Sequence, residues 1–197
     1  SYTHIIRNVY SDPSKIFEFL NNNNIEIIFH LGAISSTTFE NNHKYWVDNV
    51  LFSTKLWNIC SKKNIRLIYA SSAATYGNGH TGFDDYEDVG YLKNLKALNV
   101  YGWTKNQVDV RNVFAKENLN IKPPQWVGLK FFNVYGKNQE LNNLQQGMLR
   151  IFLTQLKKTN KLIIKGSKNR FRDFINIKDV VNILQQIPKN SKSINQT

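Results

Sequence analysis

A single cysteine, Cys60, in 197 residues excludes an internal disulfide. It falls within an apolar helical pattern and is expected to be a buried, inert thiol, compatible with a reducing compartment. Acidic side chains are few: 14 Asp and Glu stand against 26 Lys and Arg, a formal net charge of +12. Such an excess suits an anionic partner, whether a nucleotide diphosphate, an RNA or an acidic protein surface, and does not choose among them. The chain has no arginine-rich block, and its lysines, such as Lys62, Lys63, Lys157 and Lys158, are spread along its length, which reads as solvated surface. No apolar run reaches the roughly 20 residues that a membrane-spanning helix needs, and the first residues lack the order of a signal peptide. The expectation is a soluble protein without a membrane span. No glycine-rich G-x-G-x-x-G turn occurs near Ser1.

What is present is an alternation of two patterns. Asp12-Pro13-Ser14 opens a helix through Phe17 and Leu20, and Asn21 to Asn24 reads as the loop after it. Ile25 to Leu31 is a short β-branched and apolar run, the mark of a strand buried on both faces of a parallel sheet. Trp46, Val50, Leu51, Leu56, Trp57 and Cys60 fall at helical spacing between Tyr45 and Lys62, and Ile65 to Ala70 is the next strand. A helix from about Val100 to Lys116 and a strand from Trp126 to Phe132, after the Pro123-Pro124 break, repeat the order. This predicts an α/β fold, a Rossmann-like doubly wound parallel sheet with ligands at the C-terminal strand ends.

Beyond Gly136 the pattern loosens: Leu144 to Leu156 reads as helix, Lys161 to Ile164 as a short strand, and Asp179 to Ile187 as helix. The expected organisation is a cofactor domain over 1–135, a small C-terminal substrate lobe over 136–172, and a return to the first domain over 173–197. A domain of this kind normally opens with a strand, a glycine-rich turn and a helix, so the whole protein is expected to extend in both directions.

Tyr101-Gly102-Trp103-Thr104-Lys105 carries the chemistry. Four residues apart on a helix, Tyr101 and Lys105 share a face, and an ammonium beside a phenol stabilises its phenolate. The spacing alone also describes an ordinary surface pair. It follows Tyr69-Ala70-Ser71-Ser72-Ala73-Ala74-Thr75-Tyr76-Gly77, which puts hydroxyls at the end of a strand, where open α/β sheets build their sites.

Strand, S-S-x-x-x-Y-G, a loop and Y-x-x-x-K together resemble the extended short-chain dehydrogenase/reductases. The ordered segments FHLGAISSTT, YASSAATYG, LNVYGWTK, FFNVYG and RDF resemble their ADP-glycero-manno-heptose 6-epimerase branch, from about Ile25 to Val181. The resemblance implies a nucleotide-sugar epimerase that removes a hydride from the sixth carbon of the heptose, lets the ketone turn, and returns the hydride to its other face. It implies NAD or NADP, with NADP favoured, no metal, and a cytoplasmic location. Tyr101 would be the general acid/base, Lys105 would hold the nicotinamide ribose and lower the Tyr101 pKa, and Ser72, in preference to Ser71, would bond the reacting oxygen. Gly32, Ala33 and Asn49 would complete the cofactor site, although Asn49 also reads as a solvent-facing helix residue. Ser35, Ser36, Thr37, Asn133 and Arg172 would face a nucleotide-diphosphate sugar, Arg172 alternatively pairing with Asp173 or Asp179. Asp173 is expected to be a structural hydrogen-bonding carboxylate.

The sequence departs from that branch in three places. Gln146, or a neighbour, stands where a second acid/base lysine is expected, with Lys137 a poorly placed substitute. The glycine-rich turn is missing, and Gly79 to Lys96 reads as a long insertion. These departures and the charge leave an alternative: a catalytically degenerate structural subunit of a larger assembly, RNA-containing or organellar (mitochondrial). An oligomer or larger assembly is expected on either reading.

Overall fold

The computed structural model describes residues 13–36, 41–137, 139, 147–164 and 171–190. The chain divides into two compact units, residues 1–129 with 194–197, and residues 130–193.

The first unit follows the expected alternation. Helix α1 (Pro13–Asn22) leads to β1 (Ile27–His30). A long helical passage follows as α2 (Asn42–Tyr45), a π-helix (Trp46–Leu51) and α3 (Phe52–Lys63). Strand β2 (Arg66–Ser72) runs into a 3₁₀ turn (Ala73–Tyr76), and α4 (Val89–Asn94) and α5 (Val100–Leu119) precede β3 (Trp126–Phe131). The sheet order is β1-β2-β3. β1 and β2 are parallel in a register that sets Ile27 against Arg66 and His30 against Tyr69. Sequential strands joined through helices and lying side by side are the signature of a parallel α/β sheet.

Trp57, Cys60, Ile65, Leu67, Tyr69, Val113 and Trp126 make the centre of the core between sheet and helices. Trp57 and Trp126 meet edge to face at 4.9 Å, and the Trp57 indole donates to the Ile121 carbonyl at 2.9 Å. Burial pushes the Cys60 thiol pKa up to about 12, so it is an inert thiol at neutral pH. Helices α3 and α5 each end on an asparagine in the left-handed region, Asn64 and Asn120.

Three details differ from the sequence pattern. β1 is an edge strand of the described sheet and leaves Phe29 exposed, so it is not covered on both faces. The π-helix breaks the 3.6-residue phase between Tyr45 and Phe52: Tyr45, Asp48, Asn49 and Val50 are buried, while Leu51 is exposed. Gly79 to Lys96, read as an insertion, is tied down: Phe83 packs on Tyr76, whose hydroxyl donates to Asp85, and Lys116 pairs with Glu87. A Cβ on Gly77, at φ +63°, would overlap the Lys96 carbonyl, which explains glycine there.

In the second unit β4 (Asn133–Tyr135) and β5 (Phe174–Asn176) pair in parallel, with α6 (Met148–Thr159) and α7 (Ile177–Gln186) as its helices. Within this unit β5 and α7 group with β4. Lys161–Ile164 is not a strand. It has no strand partner among the described residues, all four side chains are exposed, and the Ile163 amide donates to the Gln155 side chain at 3.1 Å. Among the described residues no helix is long and apolar enough to cross a membrane.

Candidate active site

The site begins where β2 ends. Ser72 leaves the strand in extended conformation and caps the 3₁₀ turn, its hydroxyl accepting from the Ala74 amide at 3.1 Å. Helix α5 starts opposite, its Asn99 cap accepting from the Gly102 amide at 2.8 Å. The two elements approach closely because residue 102 has no side chain: a Cβ there would lie 2.5 Å from the Ala74 carbonyl oxygen. Tyr101 thereby comes beside Ser72, the serine favoured from the sequence. Ser71 points elsewhere, its hydroxyl donating to Asp109 at 2.6 Å.

One turn along α5, Lys105 is buried and donates to the Ala70 carbonyl at 2.6 Å. Burial lowers its pKa to about 8, against a smaller upward pull from Asp109. The expected lowering of the Tyr101 pKa by Lys105 is not what the fold yields. Burial raises the phenol's pKa, the Ser72 hydrogen bond partly offsets this, and Tyr45 adds to the rise. His30, at the end of β1, is held neutral: burial and the Lys105 charge bring its pKa down to about 3, and its Nε2 lies 2.8 Å from the Ser53 hydroxyl.

The loop after β1 is fastened to the same helix. Asn49 is buried, not solvent-facing: its side chain accepts from the Ile34 amide at 2.9 Å and donates to the Ile34 carbonyl at 3.0 Å. It also donates to Thr104 at 3.2 Å, and Thr104 donates to the Tyr101 carbonyl at 2.8 Å. Gly32 and Ser35 are exposed on this loop, and Ala33 and Ser36 are half-buried. The Ser36 carbonyl accepts from the Tyr45 hydroxyl. Thr37 and Gln146 lie outside the described residues.

The remaining expected residues belong to the second unit. The Asn133 side chain donates to the Asp173 backbone carbonyl at 2.8 Å, so the structural bond expected of Asp173 is made by its main chain. Arg172 is exposed and ion-paired with neither Asp173 nor Asp179, and Lys137 is exposed. Among the described residues no cluster of His, Cys, Asp and Glu is arranged to hold a metal.

The sequence reading missed Thr104, Tyr45, His30 and Asp109. Asp109 alone had a positional signal, four residues beyond Lys105 on the same helix face. Threonine and tyrosine inside helical runs have none, because nothing local says which partner a hydroxyl finds.

A strand-end serine, a tyrosine and a lysine on the facing helix, and a fixed loop at the neighbouring strand end define an α/β protein of the short-chain dehydrogenase/reductase type. The chain belongs to the NAD dependent epimerase/dehydratase family, whose model matches residues 3–196. It is 41% identical over 172 residues to the ADP-L-glycero-D-manno-heptose-6-epimerase of Fusobacterium nucleatum, covering 83% of this chain and 50% of that protein. It is also 41% identical over 169 residues to the enzyme of the same name from Brachyspira hyodysenteriae, covering 84% and 50%. The chain thus spans about half the length of the curated relatives it matches. Among solved structures, the Helicobacter pylori ADP-L-glycero-D-manno-heptose-6-epimerase superposes with a TM-score of 0.73 at 27% identity, over 91% of this chain and 54% of that one. MoeE5 in complex with UDP-glucuronic acid and NAD superposes with a TM-score of 0.63 at 26% identity, over 84% and 55%.

Proposed function

We propose that this chain carries the acid/base half of a nicotinamide-dependent nucleotide-sugar epimerase whose substrate is an ADP-heptose inverted at its sixth carbon. The observation that carries the reading is the Tyr101 phenol set beside the Ser72 hydroxyl, one helical turn from the buried Lys105 ammonium that donates to the end of β2. The relatives named as heptose epimerases supply the substrate class, and a cytoplasmic location accords with their bacterial sources.

The residues present fit a dinucleotide. Lys105 has three N–H donors and one acceptor, the Ala70 carbonyl, among the described residues, which leaves donors suited to ribose hydroxyls. Gly32 and Ala33 keep the loop after β1 free of bulk, and Asn49 sets its backbone. Gly32, Ala33, Asn49, Tyr101 and Lys105 would hold the group. A nicotinamide bound there supplies the acceptor, and then the donor, of one hydride. The choice between NAD and NADP rests on residues outside this set, with NADP favoured by the resemblance.

Tyr101 takes the proton of the sugar hydroxyl as it becomes a ketone, and returns it when the alcohol reforms on the other face. Ser72 holds the same oxygen by hydrogen bond. Burial raises the phenol's pKa and Ser72 opposes that rise, so its work as a base is proposed to depend on Ser72. Ser35, Ser36, Thr37, Asn133 and Arg172 are proposed to face the nucleotide sugar, with Arg172 suited to a diphosphate. The reading as a structural subunit gives no account of a buried lysine beside a bonded Ser-Tyr pair.

Tyr101→Phe in the full-length protein removes the proton carrier and leaves the ring. Turnover of the ADP-heptose should fall by roughly 10²–10⁴-fold, with melting temperature and bound nicotinamide retained. Turnover within twofold of the wild type would overturn the assignment.

A further inference from the structure

The buried carboxylate of Asp109 has no part in the proton transfer described above, yet it is fully buried on α5 one turn beyond Lys105. An aspartate loses solvation when removed from water and is retained in a core when donors replace that solvation. Two do so here. The Ser71 hydroxyl donates to Oδ2 at 2.6 Å and the Tyr69 hydroxyl to Oδ1 at 3.1 Å, so each oxygen takes one bond from β2. Both donors flank Ala70, whose carbonyl receives the Lys105 ammonium. Lysine and aspartate are thus fastened to three consecutive residues of the same strand from one face of the same helix.

We propose that Asp109 is a positioning residue for the acid/base pair: through Ser71 and Tyr69 it locks the end of β2 to α5, and it sets a carboxylate one helical turn from the Lys105 ammonium. The groups around this pair show why the charge is needed. His30, from β1, is neutral and offers Lys105 no counter-charge. Tyr69 is committed to Asp109, and Tyr101 on the same helix is a raised phenol bonded to Ser72. Burial and Asp85 raise the Tyr76 pKa, and Asp109 adds a smaller part. Burial alone pulls Lys105 toward the neutral amine, and Asp109 is what pulls it back.

The consequence for turnover rests on the epimerase reading, but the charge of Lys105 does not, so the two can fail separately. The test is the titration of Lys105 in full-length protein carrying ¹³C-labelled lysine, its Cε resonance assigned by its loss in Lys105→Arg. Asp109→Asn keeps the shape and removes the charge. It should lower the Lys105 midpoint by about one unit or more, from the wild-type value of about 8, and reduce turnover at neutral pH. Asp109→Glu, which restores the charge, should move the midpoint back. If the asparagine variant does not fold, Asp109→Ser, smaller and uncharged, makes the same comparison. An unmoved midpoint in a folded, uncharged variant overturns the inference, even where turnover is lost, because a merely structural residue would behave that way.

Discussion

Lys105 shows how a residue legible in the sequence acquires properties that the sequence does not state. Its distance from Tyr101 follows from helical spacing, but its burial and its bond to Ala70 depend on how α5 lies on β2. The folded pKa, about 8, is below the ordinary lysine value of 10.5. Below pH 8 the residue is protonated both folded and unfolded, and the full cost of burying the charge is present. Between 8 and 10.5 the unfolded chain holds a proton that the folded chain has released, so stability rises with pH through that window. Lys105→Met should remove this rise and stabilise the cofactor-free protein at pH 7 by on the order of 1–3 kcal/mol, read as the difference between the two proteins' denaturant midpoints from pH 7 to 10.5. A variant that keeps the wild-type slope would place the ionisation elsewhere. Asp109 went unread for the opposite reason: an aspartate on a helix ordinarily faces water, and Ser71 and Tyr69, some forty residues away in sequence, help to make burial tolerable.

Among the elements, α5 and the passage from α2 to α3 were legible in unequal degree. The apolar spacing from Tyr45 to Lys62 gave a helix, but assumed one phase. The π-helix advances the chain by an extra residue, turning Leu51 outward and Asn49 inward, and no local pattern reports that. The sequence equally gave no reason for glycine at position 102, where a helix interior ordinarily favours alanine by about 1 kcal/mol. The contact with Ala74 reverses that preference. Gly102→Ala should push α5 away from the 3₁₀ turn, destabilise the protein by about 1–3 kcal/mol, and lower turnover on the order of tenfold or more by separating Tyr101 from Ser72. Thermal denaturation and steady-state kinetics check both. A stabilised variant with full turnover would show that the approach of the two elements is not a constraint.

For the molecule as a whole, parallel alternation was readable because every buried strand and amphipathic helix repeats its signal many times. The pairing of β4 with β5 was not, because three-residue strands carry too little pattern and their partners are about forty residues apart. Net charge was readable but ambiguous. Exposed Lys62 lies on α3, while exposed Lys157 and Lys158 are neighbours on α6, so the three form no single continuous run in sequence. If the anionic partner is a nucleotide sugar, reversing all three to glutamate should leave kcat unchanged and raise KM by no more than about threefold, with a shallow salt dependence. A logarithmic salt slope of several units in a nucleic-acid binding titration would instead favour the RNA-bound alternative.

The four tryptophans of the chain occur as two pairs in different surroundings. Trp57 and Trp126 are sealed edge to face in the core, while Trp46 and Trp103 stack at 5.8 Å with Trp103 open to solvent and Arg111 over the Trp46 ring. The protein therefore contains two optical probes. One pair should emit at short wavelength and resist acrylamide until the core opens; the other should emit further to the red and be quenched from the outset, so that whatever covers the outer face of α5 can be followed without a label.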